Sequence, residues 1–326
     1  MFKILHLDEN HEILKNGLSE LGFQNIFDFT SDKNEIEKII GQFHGIVIRS
    51  RIPIDEDFID HAKNLRFIAR VGSGTENIDI EYAKKRGIAI LSAGEGNANA
   101  VGEHTLSLIL SLFNNIIKAN NEINNNLWLR ERNRGIELEN KTVGIIGYGK
   151  TGKNFAKKLA GFNVKVLCND VIENIGDDYA EQVSIEEIQS KCDIISLHTD
   201  LNKLSKHLVN TKFIDNCKNP FYLINTSRGQ CVKTSDLILG IKTGKILGAC
   251  LDVIENESSS FENFKQDSYL DFLKKSEKVI LTPHVAGWTF ESKLKLSQII
   301  LKKIKDLYSK WKSYLYCVQE IHVEVK

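Results

Sequence analysis

Residues 141–170 read KTVGIIGYGKTGKNFAKKLAGFNVKVLCND. The apolar, partly β-branched run Thr142–Ile146 has the character of a buried strand. Three glycines follow, Gly147, Gly149 and Gly152, and then Phe155, Ala156 and Leu159 recur at helical spacing. A second apolar run, Val164–Cys168, ends at Asn169 and Asp170. Each glycine has its own task in such a strand–turn–helix unit. Gly147 permits the tight turn, Gly149 lets backbone approach a diphosphate without a Cβ in the way, and Gly152 lets helix and strand pack closely. Unpaired N–H groups and the helix dipole at Lys150, Thr151 and Gly152 favour an anion. Asp170 falls 23 residues beyond Gly147, close to the roughly 20 expected, where a carboxylate accepts from ribose hydroxyls and repels a 2′-phosphate. The unit therefore predicts a dinucleotide site selective for NAD over NADP.

Outward from this unit, apolar runs alternate with helical patterns along most of the chain. Before it, Ile4–Leu7, Gly45–Ile48, Arg66–Val71 and Ile88–Leu91 are expected strands. Two loops there carry polar content, Arg49-Ser50-Arg51 and Gly72-Ser73-Gly74. Residues 97–125 form one helical stretch whose middle is apolar on most sides, as expected of a helix buried between domains or across a dimer. After the unit, strands are expected at Ile194–Leu197, Phe221–Ile224, Gly248–Val253 and Val279–Leu281. They end in or carry His198-Thr199, Asn225-Thr226-Ser227-Arg228, Asp252 and Thr282-Pro283-His284. Parallel sheets bind ligands beyond the carboxyl ends of their strands, so these residues are the candidate functional groups. A helix is expected from Thr289, its N-cap, to Leu307, and the tail beyond ends in β-like alternation at Val318, Ile321, Val323 and Val325.

The 326 residues are enough for two domains, and 43 basic residues balance 43 acidic ones. No electrostatic footprint for nucleic acid or an anionic membrane follows. The N-terminus places His6, Asp8 and Glu9 where a secretion signal needs an apolar core, and no apolar run is long enough to span a bilayer. The six cysteines are scattered singly, which predicts a reducing, cytoplasmic setting and no metal site.

Several blocks together resemble the D-isomer-specific 2-hydroxyacid dehydrogenase family. They are VGSGTENID at 71–79, NAVGEHTLSLIL at 99–110, GIELENKTVGIIGYGKTG at 135–152, LINTSRG at 223–229, GACLDVIENE at 248–257 and TPHVAGW at 282–288. The interval from Arg228 to Glu257 resembles the phosphoglycerate dehydrogenase branch. The resemblance implies two doubly wound parallel-sheet α/β domains. Residues 1–97 with 288–326 would form a flavodoxin-like substrate domain, and 98–287 a Rossmann NAD domain, in a homodimer. It also implies that His284 exchanges a proton with the substrate, that Glu257 accepts from its other ring nitrogen, and that Arg228 holds the substrate carboxylate. Ser73 and Gly74 amides would hold the same carboxylate. Asp252 would sit by the nicotinamide, and Thr226, Ser227, His198 and Gly287 along the cofactor. His104 in the GEHT block reads as a packed helix residue.

Two departures stand out: Ser258 where the family has proline, opening a long loop to Ser276, and Asp200 after His198-Thr199. Arg49, Ser50 and Arg51 read as a phosphate clamp, which favours D-3-phosphoglycerate as substrate. Glycerate, hydroxypyruvate, glyoxylate and D-lactate remain alternatives, as does an NAD-sensing scaffold of the corepressor type.

Overall fold

The computed structural model describes residues 1–257 and 267–323, with 312–323 described by backbone alone. The chain divides into two compact units: Met1–Asn97 joined by the stretch from Phe290 onward, and Ala98–Thr289.

In the first unit β1 (Lys3–His6), α1 (Glu12–Glu20), β2 (Gln24–Phe27), α2 (Lys33–Ile39), β3 (Gly45–Ile48), α3 (Glu56–His61), β4 (Phe67–Arg70), α4 (Ile80–Lys85) and β5 (Ala89–Ser92) alternate. The sheet order is β2-β1-β3-β4-β5, all parallel, which is the flavodoxin-like winding with its switch point between β1 and β3. Aspartates cap α2, α3 and α4 by accepting from Glu35, Phe58 and Tyr82 amides. One face of the sheet is covered by Ile36, Phe58 and Ile59, the other by Leu14, Leu18 and Phe23 with Leu296, Ile300 and Ile304. Those last three belong to the C-terminal helix, Phe290–Val323, which returns to this unit. Gly17 makes the contact possible, since a Cβ there would lie 2.3 Å from Leu301 Cδ2. The helix runs well beyond Leu307. The β-like alternation expected in the tail is therefore corrected: Val318, Ile321 and Val323 lie in helix, while Val325 lies outside the described residues. β2 was not expected; it is a four-residue edge strand without a fully buried position.

The second unit holds α5 (Ala98–Phe113), α6 (Ile116–Asn124), β6 (Thr142–Ile146), α7 (Lys150–Leu159), β7 (Lys165–Asn169), β8 (Glu181–Gln182), α8 (Ile185–Lys191), β9 (Ile194–Leu197), α9 (Thr211–Asn216), β10 (Phe221–Asn225), α10 (Thr234–Thr243), β11 (Ile246–Leu251), α11 (Ser268–Lys275) and β12 (Val279–Leu281). The C-terminal helix of the first unit is α12. The order β12-β11-β10-β9-β6-β7-β8 is parallel throughout, with a switch point between β9 and β6. Core clusters lie on both faces of the sheet, one around Leu197, Phe221 and Leu237, the other around Ile145, Phe155 and Ile109. The single helix expected over 97–125 is two, because Asn115 adopts a left-handed φ of 50° between α5 and α6. α5 is buried inside its own unit: a Cβ on Gly102 would lie 3.0 Å from the Asn154 carbonyl carbon of α7. Of the long loop to Ser276, residues 258–266 lie outside the described residues and the remainder contains α11.

Close packing of α7 on its strand depends on Gly152, whose Cβ would sit 2.3 Å from Gly147 O. Gly152→Ala is expected to destabilise the second unit by about 1–3 kcal/mol, the usual range for forcing a methyl into packed space. Urea unfolding checks this; an unchanged midpoint would contradict the packing role.

Candidate active site at the strand ends of the second unit

Six adjoining parallel strands of the second unit bring their carboxyl ends to one edge. In spatial order the residues that leave them are His284 after β12, Asp252 and Glu257 after β11, Arg228 after β10, His198 after β9, Gly147 after β6 and Asp170 after β7.

At the catalytic end, His284 Nδ1 is 2.7 Å from Glu257 Oε2, a charge-assisted hydrogen bond. Glu257 is itself fixed, since its other oxygen accepts from the Ile254 amide at 2.5 Å. His284 adopts a φ of 55°, which a non-glycine residue holds only where the surroundings impose it. The surroundings here are Asp252. Its carboxylate accepts from the Val285 amide at 2.9 Å, the Ala286 amide at 2.8 Å and the Thr282 hydroxyl at 2.5 Å. Its backbone carbonyl accepts from the His284 amide at 2.7 Å. Asp252 is 1% exposed. Burial alone would raise its pKa, but hydrogen bonds from His104, Thr282, Ala286 and Val285 outweigh that and hold it below the ordinary carboxylate value.

Besides the place by the nicotinamide that the resemblance implies for it, Asp252 builds with its carboxylate the turn that presents His284. His104, packed on α5, gains a further role. Thr282 gives its proton to Asp252, so its oxygen accepts from His104 Nε2 at 3.0 Å, and His104 is a support of the same turn. The sequence hid this role because His104 lies on an otherwise apolar helix.

Arg228 follows β10, in a turn built by buried Asn225. Asn225 Oδ1 accepts from the Ser227 amide and hydroxyl, and its Nδ2 donates to Arg228 O at 2.9 Å. Arg228 Nη1 donates to Ser227 O at 2.8 Å. Gly229 has no room for a side chain, because a Cβ would lie 1.9 Å from Ile254 O. That contact seats the Arg228 turn directly against the loop bearing Glu257. Glu255, also unanticipated, anchors this loop by accepting from the Thr234 amide at 2.8 Å and pairing with His207 Nε2 at 2.7 Å. Thr226 is buried, 3.1 Å from Thr105 Oγ1 of α5.

At the cofactor end, Gly147 has φ 90°, and a Cβ there would lie 2.7 Å from the His198 carbonyl. A Cβ on Gly149 would meet nothing within 4 Å, so the turn leaves an open cradle. No side chain caps the start of α7 at Lys150, Thr151 and Gly152. Gly149 and Lys150 are exposed and Gly287 is half-buried. Asp170 follows β7 and accepts from the Tyr148 amide at 2.6 Å and the Ile172 amide at 3.0 Å. His198 is buried, with Nε2 2.9 Å from Ser196 Oγ and no partner for Nδ1 among the described residues. An open glycine cradle, an uncapped helix start, an acid at the next strand tip and an orphaned ring nitrogen fit a bound dinucleotide.

The first-unit candidates are placed differently. Arg51 Nε donates to Leu7 O at 2.7 Å and Nη2 to Asp28 O at 2.9 Å, and Nη1 donates to Ser31 O. Arg51 thus ties the ends of β1 and β2 to the loop after β3, which corrects its reading as half of a phosphate clamp. The Arg49 amide donates to Asp8 Oδ2 at 2.6 Å, and Arg49 and Ser50 are half-buried. Ser73 Oγ donates to Asn97 Oδ1 at 2.9 Å, and Gly74 is buried.

Burial pushes the His198 pKa from 6.5 down to about 3. Between those values the unfolded chain binds the extra proton, so the stability His198 contributes is complete above pH 6.5 and falls on acidification. The slope is at most about 1.4 kcal/mol per pH unit. His198→Asn should therefore flatten the decline of melting temperature between about pH 6.5 and 5. Equal slopes for variant and parent would contradict the buried neutral imidazole.

A family model described as D-isomer specific 2-hydroxyacid dehydrogenase, NAD binding domain, matches residues 106–286. A hydroxypyruvate reductase of Thermotoga maritima is 32% identical over 84% of this chain and 87% of its own. A D-3-phosphoglycerate dehydrogenase of Archaeoglobus fulgidus is also 32% identical over 84% of this chain, which spans about half (51%) of that relative's length. The crystal structure of a D-lactate dehydrogenase from Aquifex aeolicus, complexed with NAD and lactic acid, superposes with a TM-score of 0.80 at 26% identity, covering 94% of this chain and 96% of that one. Among the described residues no helix is long and apolar enough to cross a membrane. With the glycine cradle, the acid of β7 and the bonded Glu257–His284 pair on one sheet edge, the chain belongs to the D-isomer-specific 2-hydroxyacid dehydrogenase family, whose cofactor is NAD.

Proposed function

We propose that this chain interconverts short 2-keto acids and D-2-hydroxy acids with NAD(H), with hydroxypyruvate and glyoxylate as the substrate class. The observation that carries the reading is the 2.7 Å bond from His284 Nδ1 to Glu257. With Nδ1 held, Nε2 is the nitrogen through which His284 gives a proton to the substrate carbonyl oxygen or takes it back. Glu257 fixes the tautomer and the direction of the ring. Arg228 offers a planar fork to the substrate carboxylate. NAD supplies or accepts the hydride. The chain's part there is binding: the start of α7 at Lys150, Thr151 and Gly152 for the diphosphate, Asp170 for ribose hydroxyls, and His198, Thr226, Ser227 and Gly287 along the same edge.

Arg51 bears on the substrate. Its bonds to three carbonyls leave Arg49 as the remaining cation of the supposed phosphate clamp, which favours an unphosphorylated acid. D-3-phosphoglycerate is the second reading, supported by Arg49 at the end of β3 and by relatives that bear that enzyme's name.

We also propose a homodimer through α6. That helix has no buried residue, and Ile116, Ile117, Ile123, Leu127 and Trp128 are exposed, Trp128 by 79%. Beside them a cavity of about 540 Å³ has an apolar side formed by Leu112, Ile117, Leu127 and Leu273 and a charged rim that includes Lys118, Glu122 and Glu277, room for a partner's side chain.

His284→Ala is expected to lower kcat by ~10²-fold or more while NADH still binds. Arg51→Ala should lower stability by about 2 kcal/mol or more, on the scale of charged hydrogen bonds, and leave the ratio of kcat/KM for hydroxypyruvate over 3-phosphohydroxypyruvate unchanged. A parent that strongly prefers the phosphorylated acid, with that preference lost in Arg51→Ala, would restore the clamp. Ile117→Asp with Ile123→Asp should convert the dimer to a monomer in sedimentation velocity; an unaltered mass would rule out this surface.

A further inference from the structure

Tyr148 stands between the two glycines of the cofactor turn, and neither the glycine pattern nor the catalytic set assigns it a task. Its side chain is 0% exposed. The phenol donates to Asp177 Oδ1 at 2.7 Å, and burial together with that carboxylate raises its pKa. The Lys153 ammonium lies 5.2 Å from the centre of the Tyr148 ring, 3.3 Å from Asp177 Oδ2, and donates to Ile175 O at 3.1 Å. The amide of Tyr148 donates to Asp170 Oδ2 at 2.6 Å. One residue of the glycine turn is thus bonded to both ends of segment 170–177.

Gln182 secures the middle of that segment, donating to Ile172 O and accepting from the Ile175 amide, both at 2.8 Å. Directly after Asp170 the segment presents Val171 and Ile172, 82% and 59% exposed. Two exposed apolar side chains beside a ribose-binding acid suit the face of a base.

We propose that Tyr148, Asp177 and Lys153 form a bracket that sets cofactor selectivity, with Tyr148 as its positioning residue. The proposal rests on the NAD reading of the glycine turn. The bracket acts in two ways. It holds the Asp170 carboxylate at a fixed height over the turn, so that the carboxylate cannot swing aside to relieve repulsion of a 2′-phosphate. It also pairs the Lys153 ammonium with Asp177, which withholds from such a phosphate a cation that lies on the first turns of α7.

The test is fluorescence titration of NADH and NADPH, with kcat at saturating cofactor, for the parent, Tyr148→Phe and Asp177→Asn. Tyr148→Phe keeps the ring and removes one hydrogen bond, so NADH should bind about fivefold more weakly and the NADH-over-NADPH preference should narrow by a similar factor. The kcat should stay within about twofold, because no reacting group has moved. Asp177→Asn should narrow the preference further, since it also releases Lys153. A Tyr148→Phe or Asp177→Asn protein with undiminished preference would overturn the bracket, even if its melting temperature fell. A parent that does not prefer NADH would overturn the cofactor reading and the bracket with it.

Discussion

The catalytic end of the second unit depends on one buried carboxylate. Asp252 holds the turn Thr282–Ala286 through three donors and receives the His284 amide on its backbone carbonyl. A buried anion is tolerated only when its oxygens are fully bonded, and the donors here are the amides and hydroxyl of the turn it shapes. Loss of that side chain would leave those donors without an acceptor. The left-handed φ of His284 would then lack the constraint that imposes it. His104 extends the support to α5, so a helix remote in sequence helps aim His284.

The parallel sheet supplies the larger frame. Carboxyl ends of β12, β11 and β10 carry His284, Glu257 and Arg228, and those of β9, β6 and β7 carry His198, Gly147 and Asp170. The change in winding direction between β9 and β6 opens the crevice where a dinucleotide is bound in such sheets. The candidate catalytic and cofactor groups therefore share one edge because strand order places them there, although they are scattered over nearly half of the chain. Gly229 makes the two loops of the catalytic end touch, at a point where any side chain would collide with Ile254 O.

Much of this was legible in the residues. Buried parallel strands announce themselves as short apolar runs, and the glycine turn announces itself by spacing, so both sheets could be read apart from one edge strand each, β2 and β8. β2 escaped because an edge strand buries little and its residues, Gln24-Asn25-Ile26-Phe27, are half polar. The break between α5 and α6 turns on the φ of Asn115, which an asparagine-rich stretch does not single out. The helix of the tail overrides a β-like alternation that only the backbone could correct. In the site, Arg228, Glu257 and His284 were visible as residue types at strand tips. The tasks of Asp252, His104, Glu255 and Arg51 were not. Each depends on a hydrogen bond to a segment distant in sequence, and no local pattern encodes such a partner.

Arg51 also shows how a structural role can mimic a functional one. A cation at a switch-point strand end resembles a ligand clamp until its three carbonyl partners are known. The central claim, that Glu257 and His284 act as one proton-handling unit, is tested most directly by a double-mutant cycle in kcat/KM for hydroxypyruvate reduction. The variants are Glu257→Gln, His284→Gln and the pair. If the unit holds, the double variant is scarcely slower than His284→Gln alone, a coupling of about 1 kcal/mol or more. Additive losses would mean that the 2.7 Å contact does not couple the two residues in the reaction.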